Sequence, residues 1–288
     1  MDSLSKRVLV TGIAGFTGRH LAAHLIKQGY DVVGLVADLR NRAAVLREVQ
    51  AIKPDYVVHL AAISFAAETD IEKIYAVNVA GTLNLLDALV EGCTPGLRVI
   101  LASSATVYGN QSVSVLTENL CPAPTSHYGC SKLVMEHMSQ GYRDKLDILL
   151  VRPFNYTGVG HAEHFLIPKI VSAYRSGVDE IELGNLDVAR EFNDVRDVCR
   201  VYSSLLQVAP VAGSNVVNLC SGRPTELLEV IDLMNAISGR TMAVKVNPRF
   251  VRSNDIRTLK GSVERLSELV DSRFVYSVRD TLTWMYSA

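Results

Sequence analysis

The feature that most constrains the fold is a run of spaced glycines set between an apolar strand and an amphipathic helix. Arg7-Val8-Leu9-Val10-Thr11 is short and apolar enough to be a buried parallel strand. Gly12, Gly15 and Gly18 follow at once, and Arg19 to Gln28 then sets Leu21, Ala22, Leu25 and Ile26 on one side of a helix. Strand, glycine turn and helix in that order make a dinucleotide cradle. One glycine forms the tight turn, one lets the backbone approach a pyrophosphate, and one lets helix and strand pack closely. The spacing is G-x-x-G-x-x-G, with Phe16 and Thr17 at the helix start, where free N–H groups and the dipole favour an anion.

An acidic residue for the adenosine ribose is expected near the end of the second strand, Asp31-Val32-Val33-Gly34-Leu35-Val36. Val36 stands there, and Asp38 follows two residues later. Asp38 and Leu39 are the candidates for this part of the cofactor, with adenine as an alternative contact. Arg40 and Arg42 could meet a 2′-phosphate or simply open a solvated helix, so NAD and NADP both stay open.

Apolar runs and helical stretches then alternate. Tyr56–Leu60, Val99–Ala102 and Ile148–Val151 read as strands, and Arg42–Ile52, Ile71–Glu91 and Tyr128–Arg143 as helices. That rhythm predicts an α/β fold, a doubly wound parallel Rossmann sheet. Past Pro153 it loosens into a helix near Phe165–Ser176, a loop through Leu183–Asp187, a helix at Val195–Gln207 and a strand at Val216–Leu219. The expected division is a dinucleotide-binding domain over 1–154, to which 191–220 partly returns. A smaller C-terminal substrate-binding lobe would comprise 155–190 and 221–288.

A net charge of −1 gives no support for nucleic acid or an anionic membrane as partner. Five cysteines, at 93, 121, 130, 199 and 220, are odd in number and lack metal-site spacing. Neither a disulfide framework nor a metal centre is expected, and a reducing cytoplasm fits. The first strand starts within a few residues of Met1, which leaves no room for a signal peptide, and no apolar run approaches the ~20 residues of a membrane span.

Tyr128-Gly129-Cys130-Ser131-Lys132 carries the chemistry, with Ser103-Ser104 at the end of the fourth strand-like run. A free tyrosine has a pKa near ~10, so about one in a thousand is ionised at neutral pH. A lysine four residues on lies on the same helical face, and its charge, with that of an oxidised nicotinamide, favours the phenolate. Tyr128 would then be the acid/base at a carbonyl or alcohol, with Ser104 on the same oxygen and Lys132 supporting both phenol and nicotinamide ribose.

At these residues the chain resembles the extended short-chain dehydrogenase/reductases, the nucleotide-sugar epimerase/dehydratase family. The likeness runs through TGIAGFTG from Thr11, HLAA at His59–Ala62, NVAGTLNLLDA from Asn78, SSATVYG from Ser103, YGCSK from Tyr128 and VRPFN from Val151. It implies that Leu60, Ala61 and Ala62 line the cofactor path, that Asn78 supports the catalytic helix, and that Ser64 and Asn155 face the substrate, Asn155 at its diphosphate. The segment Leu183–Val198 resembles that of GDP-mannose 4,6-dehydratases and GDP-4-keto-6-deoxymannose reductases, and Arg252-Ser253-Asn254-Asp255 falls where those enzymes carry R-P-x-D/E. By that likeness Arg190 and Arg252 hold diphosphate and Asp255 the nucleotide ribose; guanidinium forks suit phosphate oxygens.

The dehydratases of that family place an Asp-Glu pair directly after the serine or threonine, and here Ala105 and Thr106 stand there. The 3,5-epimerising reductases carry a cysteine in this stretch, and SSATVYG has none. Two activities survive: 4-keto reduction and 4-epimerisation, SSATVYG itself resembling the 4-epimerase version. A non-catalytic dinucleotide sensor is the reading from another class; such proteins lose the tyrosine or the lysine, and this chain keeps both. His161 and His164 read as exposed loop residues. The resemblance also implies a homodimer through the helices at Ile71–Glu91 and Tyr128–Arg143.

Overall fold

The computed structural model describes residues 5–64, 69–210, 213–251 and 257–288. Arg252 and Asp255 therefore lie outside the described residues. Along the first half, β1 (Arg7–Thr11), α1 (Phe16–Lys27), β2 (Asp31–Gly34), α2 (Arg42–Ile52) and β3 (Tyr56–His59) follow one another. Then come α3 (Ile71–Tyr75), a π-turn over Ala76–Gly81, α4 (Thr82–Gly92), β4 (Leu97–Ala102), α5 (His127–Ser139) and β5 (Leu146–Pro153). The second half contains β6 (Tyr156–Thr157), α6 (Leu166–Ser176), β7 (Glu180–Leu183), β8 (Ala189–Arg190), β9 (Asn193–Asp194), α7 (Val195–Leu205) and β10 (Val216–Leu219). It closes with β11 (Thr225–Glu226), α8 (Leu227–Ser238), β12 (Ala243–Val246), β13 (Thr258–Leu259), α9 (Glu264–Leu269) and α10 (Val278–Ser287).

Six strands form one parallel sheet in the order β10-β5-β4-β3-β1-β2. Strand alternation sends Val8, Val10 and Val58 to the face covered by α1 and α7, and Leu9 and Val57 to the face covered by α2 and α4. This is the doubly wound α/β fold expected. The strand order reverses between β1 and β3, so a crevice opens outside their carboxyl ends, where such sheets take their ligands. A third core, built on α6, α8 and α10 with Ile181 and Leu183 of β7, lies outside the sheet.

Two expected elements differ in detail. The helix over 71–91 is divided by the six-residue π-turn, whose wider loop aims Asn78 at neighbouring segments. The helix expected from Tyr128 begins at His127, capped by Ser126, and tightens into a 3₁₀ turn at Gln140–Tyr142. None of the described helices is long and apolar enough to cross a membrane.

Candidate active site

The glycine turn is built for an anion. Gly12 has φ +69°, and a Cβ there would lie 2.9 Å from the Ala61 backbone; a Cβ on Gly18 would lie 2.2 Å from the Gly12 carbonyl. Side chains are thus excluded where β1, the turn and β3 meet. Gly15 caps α1 with extended backbone and no side-chain acceptor, and the first turn of α1 carries no acidic residue. The N-terminal N–H groups therefore remain for a ligand. The turn, the reversal crevice and the open helix end together fit a dinucleotide.

Behind this turn runs a chain of buried polar groups. The Ala61 N–H donates to Thr11 Oγ1 (3.1 Å), which lies 2.7 Å from His59 Nδ1. His59 Nε2 lies 2.8 Å from Thr82 Oγ1, and Thr82 donates its proton to the Asn78 carbonyl (2.8 Å). Because the Thr82 hydroxyl has one proton and gives it to Asn78, it accepts from His59, which fixes the Nε2–H tautomer and leaves Nδ1 to accept from Thr11. Burial, helped by the Lys132 charge, lowers the imidazole pKa to about 3, so His59 is neutral at physiological pH. Asn78 then clamps Ile63 through both its N–H (2.8 Å) and its carbonyl (3.1 Å), and donates to Ser131 Oγ at 3.0 Å. Ser131 in turn donates to the Tyr128 carbonyl (2.8 Å). The glycine turn and α5 are therefore joined by one hydrogen-bonded path.

Ser104, Tyr128 and Lys132 meet at the carboxyl end of β4. Ser104 caps the short 3₁₀ turn Ala105–Tyr108, its Oγ accepting from the Thr106 N–H (3.1 Å) and hydroxyl (2.9 Å). Its own proton stays available, and it bonds the Tyr128 phenol. Burial, and to a lesser degree Tyr156, pushes the Tyr128 phenol above its ordinary value of 10.0, and the Ser104 bond works the other way. Lys132, 2% exposed, donates from Nζ to the Ala102 carbonyl at 2.7 Å. Burial lowers its pKa to about 8, opposed by Glu136. Glu136 itself is forked onto Arg152 (2.9 and 2.6 Å) and accepts from Ser103, which anchors the residue before Ser104 to the helix that carries Tyr128.

Comparison with known proteins agrees with this geometry. The profile described as "NAD dependent epimerase/dehydratase family" matches residues 8–220. The chain belongs to that family. It is 38% identical to the GDP-6-deoxy-D-talose 4-dehydrogenase of Aggregatibacter actinomycetemcomitans, over 97% of each chain. It is 30% identical to the GDP-6-deoxy-D-mannose reductase of Pseudomonas aeruginosa, over 97% of this chain and 95% of that one. The solved structure of RMD from Pseudomonas aeruginosa complexed with NADPH superposes with a TM-score of 0.87 at 29% identity, covering 98% of this chain and 97% of that chain. The cofactor of this family member is a nicotinamide dinucleotide, NAD(P)(H).

Around the family's cofactor crevice the other expected residues take distinct places. Phe16 and Thr17 open α1, and Leu60, Ala61 and Ala62 follow β3 at the crevice edge. Asp38 is exposed and bound by Arg40 (2.6 Å), which lowers its carboxyl to about 2. Leu39 is buried in the core beside α4, its Cβ 2.9 Å from where a Gly81 side chain would begin, so its environment is that of a packing residue. Ser64 is exposed at the rim, and Asn155 is exposed between β5 and β6. Arg190 lies on β8 and donates to the Ala189 carbonyl (2.8 Å).

Two residues near the site were not singled out from sequence, and a third is placed differently than expected. Tyr156 lies 2.8 Å from Thr17 Oγ1 and joins β6 to the cradle helix. Glu191 is buried and gathers the N–H groups of Ser221 (2.7 Å), Gly222 (3.1 Å) and Gly261 (2.8 Å), tying the end of β10 to the segment after β13. His161 corrects the reading of it as an exposed loop residue. It stacks between Phe16 and Phe165, each centroid 4.3 Å away, and burial, with His164 beside it, lowers its pKa to about 4. His164 is exposed, as expected. Only the φ-restricted glycines and the i,i+4 Tyr–Lys pair announce themselves locally; these contacts span from four to more than a hundred residues.

Proposed function

We propose that this family member reduces the C4 keto group of a nucleotide-linked 4-keto-6-deoxyhexose, a GDP sugar rather than a dTDP sugar, and runs in reverse as a 4-dehydrogenase. The observation that carries the reading is the Ser104–Tyr128–Lys132 constellation with Ala105 and Thr106 beside it. Thr106 is hydrogen-bonded to Ser104, and neither residue can shuttle protons for dehydration. Full-length similarity to proteins named for dehydrogenation at C4 and for reduction of GDP-6-deoxyhexoses supports the same chemistry.

A dinucleotide held at the Gly12–Gly18 turn would supply the hydride. Tyr128 gives its phenolic proton to the C4 oxygen, Ser104 donates a hydrogen bond to that oxygen, and Lys132 stabilises the phenolate left behind. Dinucleotide would lie on 1–154, with 191–220 behind it, and the sugar nucleotide against 155–190 and 221–288. Asn155, Arg190, Arg252, Asp255 and Ser64 are its assigned contacts.

A 4-keto reductase consumes one reduced cofactor per sugar. Absorbance at the reduced nicotinamide band should fall one-for-one with a GDP-4-keto-6-deoxyhexose. Interconversion of a 4-hydroxy sugar nucleotide with its C4 epimer, without net cofactor use, would replace the reductase by the runner-up, a 4-epimerase, which the Ser103–Gly109 segment resembles. Turnover of neither substrate class would leave the sensor reading. We also assign a homodimer: Val134 (38% exposed) and Met138 (49%) leave an apolar stripe on the outer face of α5.

A further inference from the structure

We propose that Glu48 makes this chain select NAD(H) over NADP(H). The inference concerns the dinucleotide alone and does not rest on the identity of the sugar. β2 runs parallel to β1, with Gly34 opposite Val10 and Leu35 N–H donating to the Val10 carbonyl at 3.3 Å. The residues just past β2 therefore flank the glycine turn; a Cβ on Gly34 would lie 2.4 Å from the Ile13 side chain. In such folds this strand end meets the adenosine ribose, with an acidic residue for a 2′-hydroxyl or an arginine nearby for a 2′-phosphate. Here the position holds Val36, 89% exposed, which can do neither.

Two polar groups at this corner are the backbone N–H groups of Val36 and Ala37, and Glu48 from α2 occupies both. Its Oε1 accepts from Val36 at 2.8 Å and its Oε2 from Ala37 at 2.7 Å. Two adjacent N–H groups converging on one anionic group are what a 2′-phosphate would seek, and the chain has filled them with its own carboxylate. The arginines within reach are engaged as well. Arg40 is forked onto Asp38, and Arg42 lies on Glu91 (2.9 Å) and Asp87 (3.3 Å). Exposed pairs of this kind are weak and can open. The Glu48 carboxylate is the fixed element, because a phosphate approaching those N–H groups meets a like charge and must first displace it. A ribose 2′-hydroxyl, by contrast, is neutral and can donate to a carboxylate.

The test is direct binding to the full chain without sugar, by intrinsic-fluorescence quenching or calorimetry. NADH and NADPH are compared, and so are AMP and adenosine 2′,5′-bisphosphate as fragments that differ only at the 2′ position. Wild type should bind NADH tighter than NADPH by roughly tenfold or more, with the same order for the fragments. Glu48→Gln should shrink the NADPH-to-NADH ratio of dissociation constants several-fold. Equal or tighter binding of NADPH by wild type overturns the proposal, and so does an unchanged ratio in the variant. The wild-type comparison needs no substitution, so a poorly folding variant does not shelter the idea. Either failure leaves the reading of the sugar chemistry untouched.

Discussion

Lys132→Met should make the dinucleotide-free protein more stable while removing its activity. Lys132 is buried and its ammonium has one carbonyl partner, Ala102. Burial lowers its pKa from 10.5 to about 8. At about 1.4 kcal/mol per tenfold, holding that charge in the fold costs about 3 kcal/mol at neutral pH. Methionine removes this cost but leaves the Ala102 carbonyl without its donor, which takes back about 1–2 kcal/mol. The net gain is about 1–2 kcal/mol, or a few degrees in Tm. The sign of the pH dependence is diagnostic. Between pH 8 and 10.5 the unfolded chain binds more protons at this lysine than the folded one, so wild-type stability rises with pH across that window. The gap between variant and wild type should therefore be widest below pH 8 and close toward pH 10.5. Urea unfolding at several pH values measures it. A variant less stable than wild type at pH 7, or a gap that does not narrow with pH, refutes the reasoning.

Tyr128→Phe should cut turnover by at least ~10²-fold with little change in dinucleotide affinity, because it removes one proton from the reacting oxygen; near-normal turnover removes the assignment. Asn78→Ala breaks the bonds to Ile63 and Ser131. It should destabilise the fold by about 1–3 kcal/mol and slow turnover, read by denaturant melts and steady-state rates. Gly18→Ala would press a methyl onto the Gly12 carbonyl, so dinucleotide titration should show binding lost or weakened more than ~10-fold. Met138→Glu, on the outer face of α5, should shift a dimer toward monomer in light scattering at micromolar concentration; wild type that is monomeric there ends the dimer assignment.

What could be read from the sequence was whatever nature writes locally. β1, β3, β4, β5 and β10 appear as apolar runs because strands buried on both faces need apolar residues on both sides. The small sheets stayed hidden for the opposite reason. β6, β8, β9, β11 and β13 are two residues each, and β7 alternates exposed with buried positions, so none makes a run. Glu191 could not be found at all by pattern, since the backbone N–H groups it gathers lie 30 to 70 residues away. Asp38 and Leu39 follow the strand that should meet the ribose; Asp38 is held by Arg40, Leu39 packs in the core, and a further carboxylate at that corner, Glu48, comes from α2, which no local pattern shows.

The two buried polar paths explain why the proposed reacting groups and the cradle can sit on three separate elements. Ser104 follows β4, Tyr128 and Lys132 ride on α5, and the cradle follows β1, so nothing in local geometry fixes their mutual distances. The Thr11–His59–Thr82–Asn78–Ser131 path ties the cradle to α5 from one side. The Ser103–Glu136–Arg152 cluster ties β4 to α5 from the other. Groups buried this way are costly when left unmatched and directional when satisfied, so each fixes an orientation that apolar packing would leave loose. Catalysis by a tyrosine proton gains from that rigidity, because a preorganised donor need not be reoriented as charge develops on the oxygen. Lys132 donates to the Ala102 carbonyl in this frame, and it is also the group the proposed chemistry needs charged.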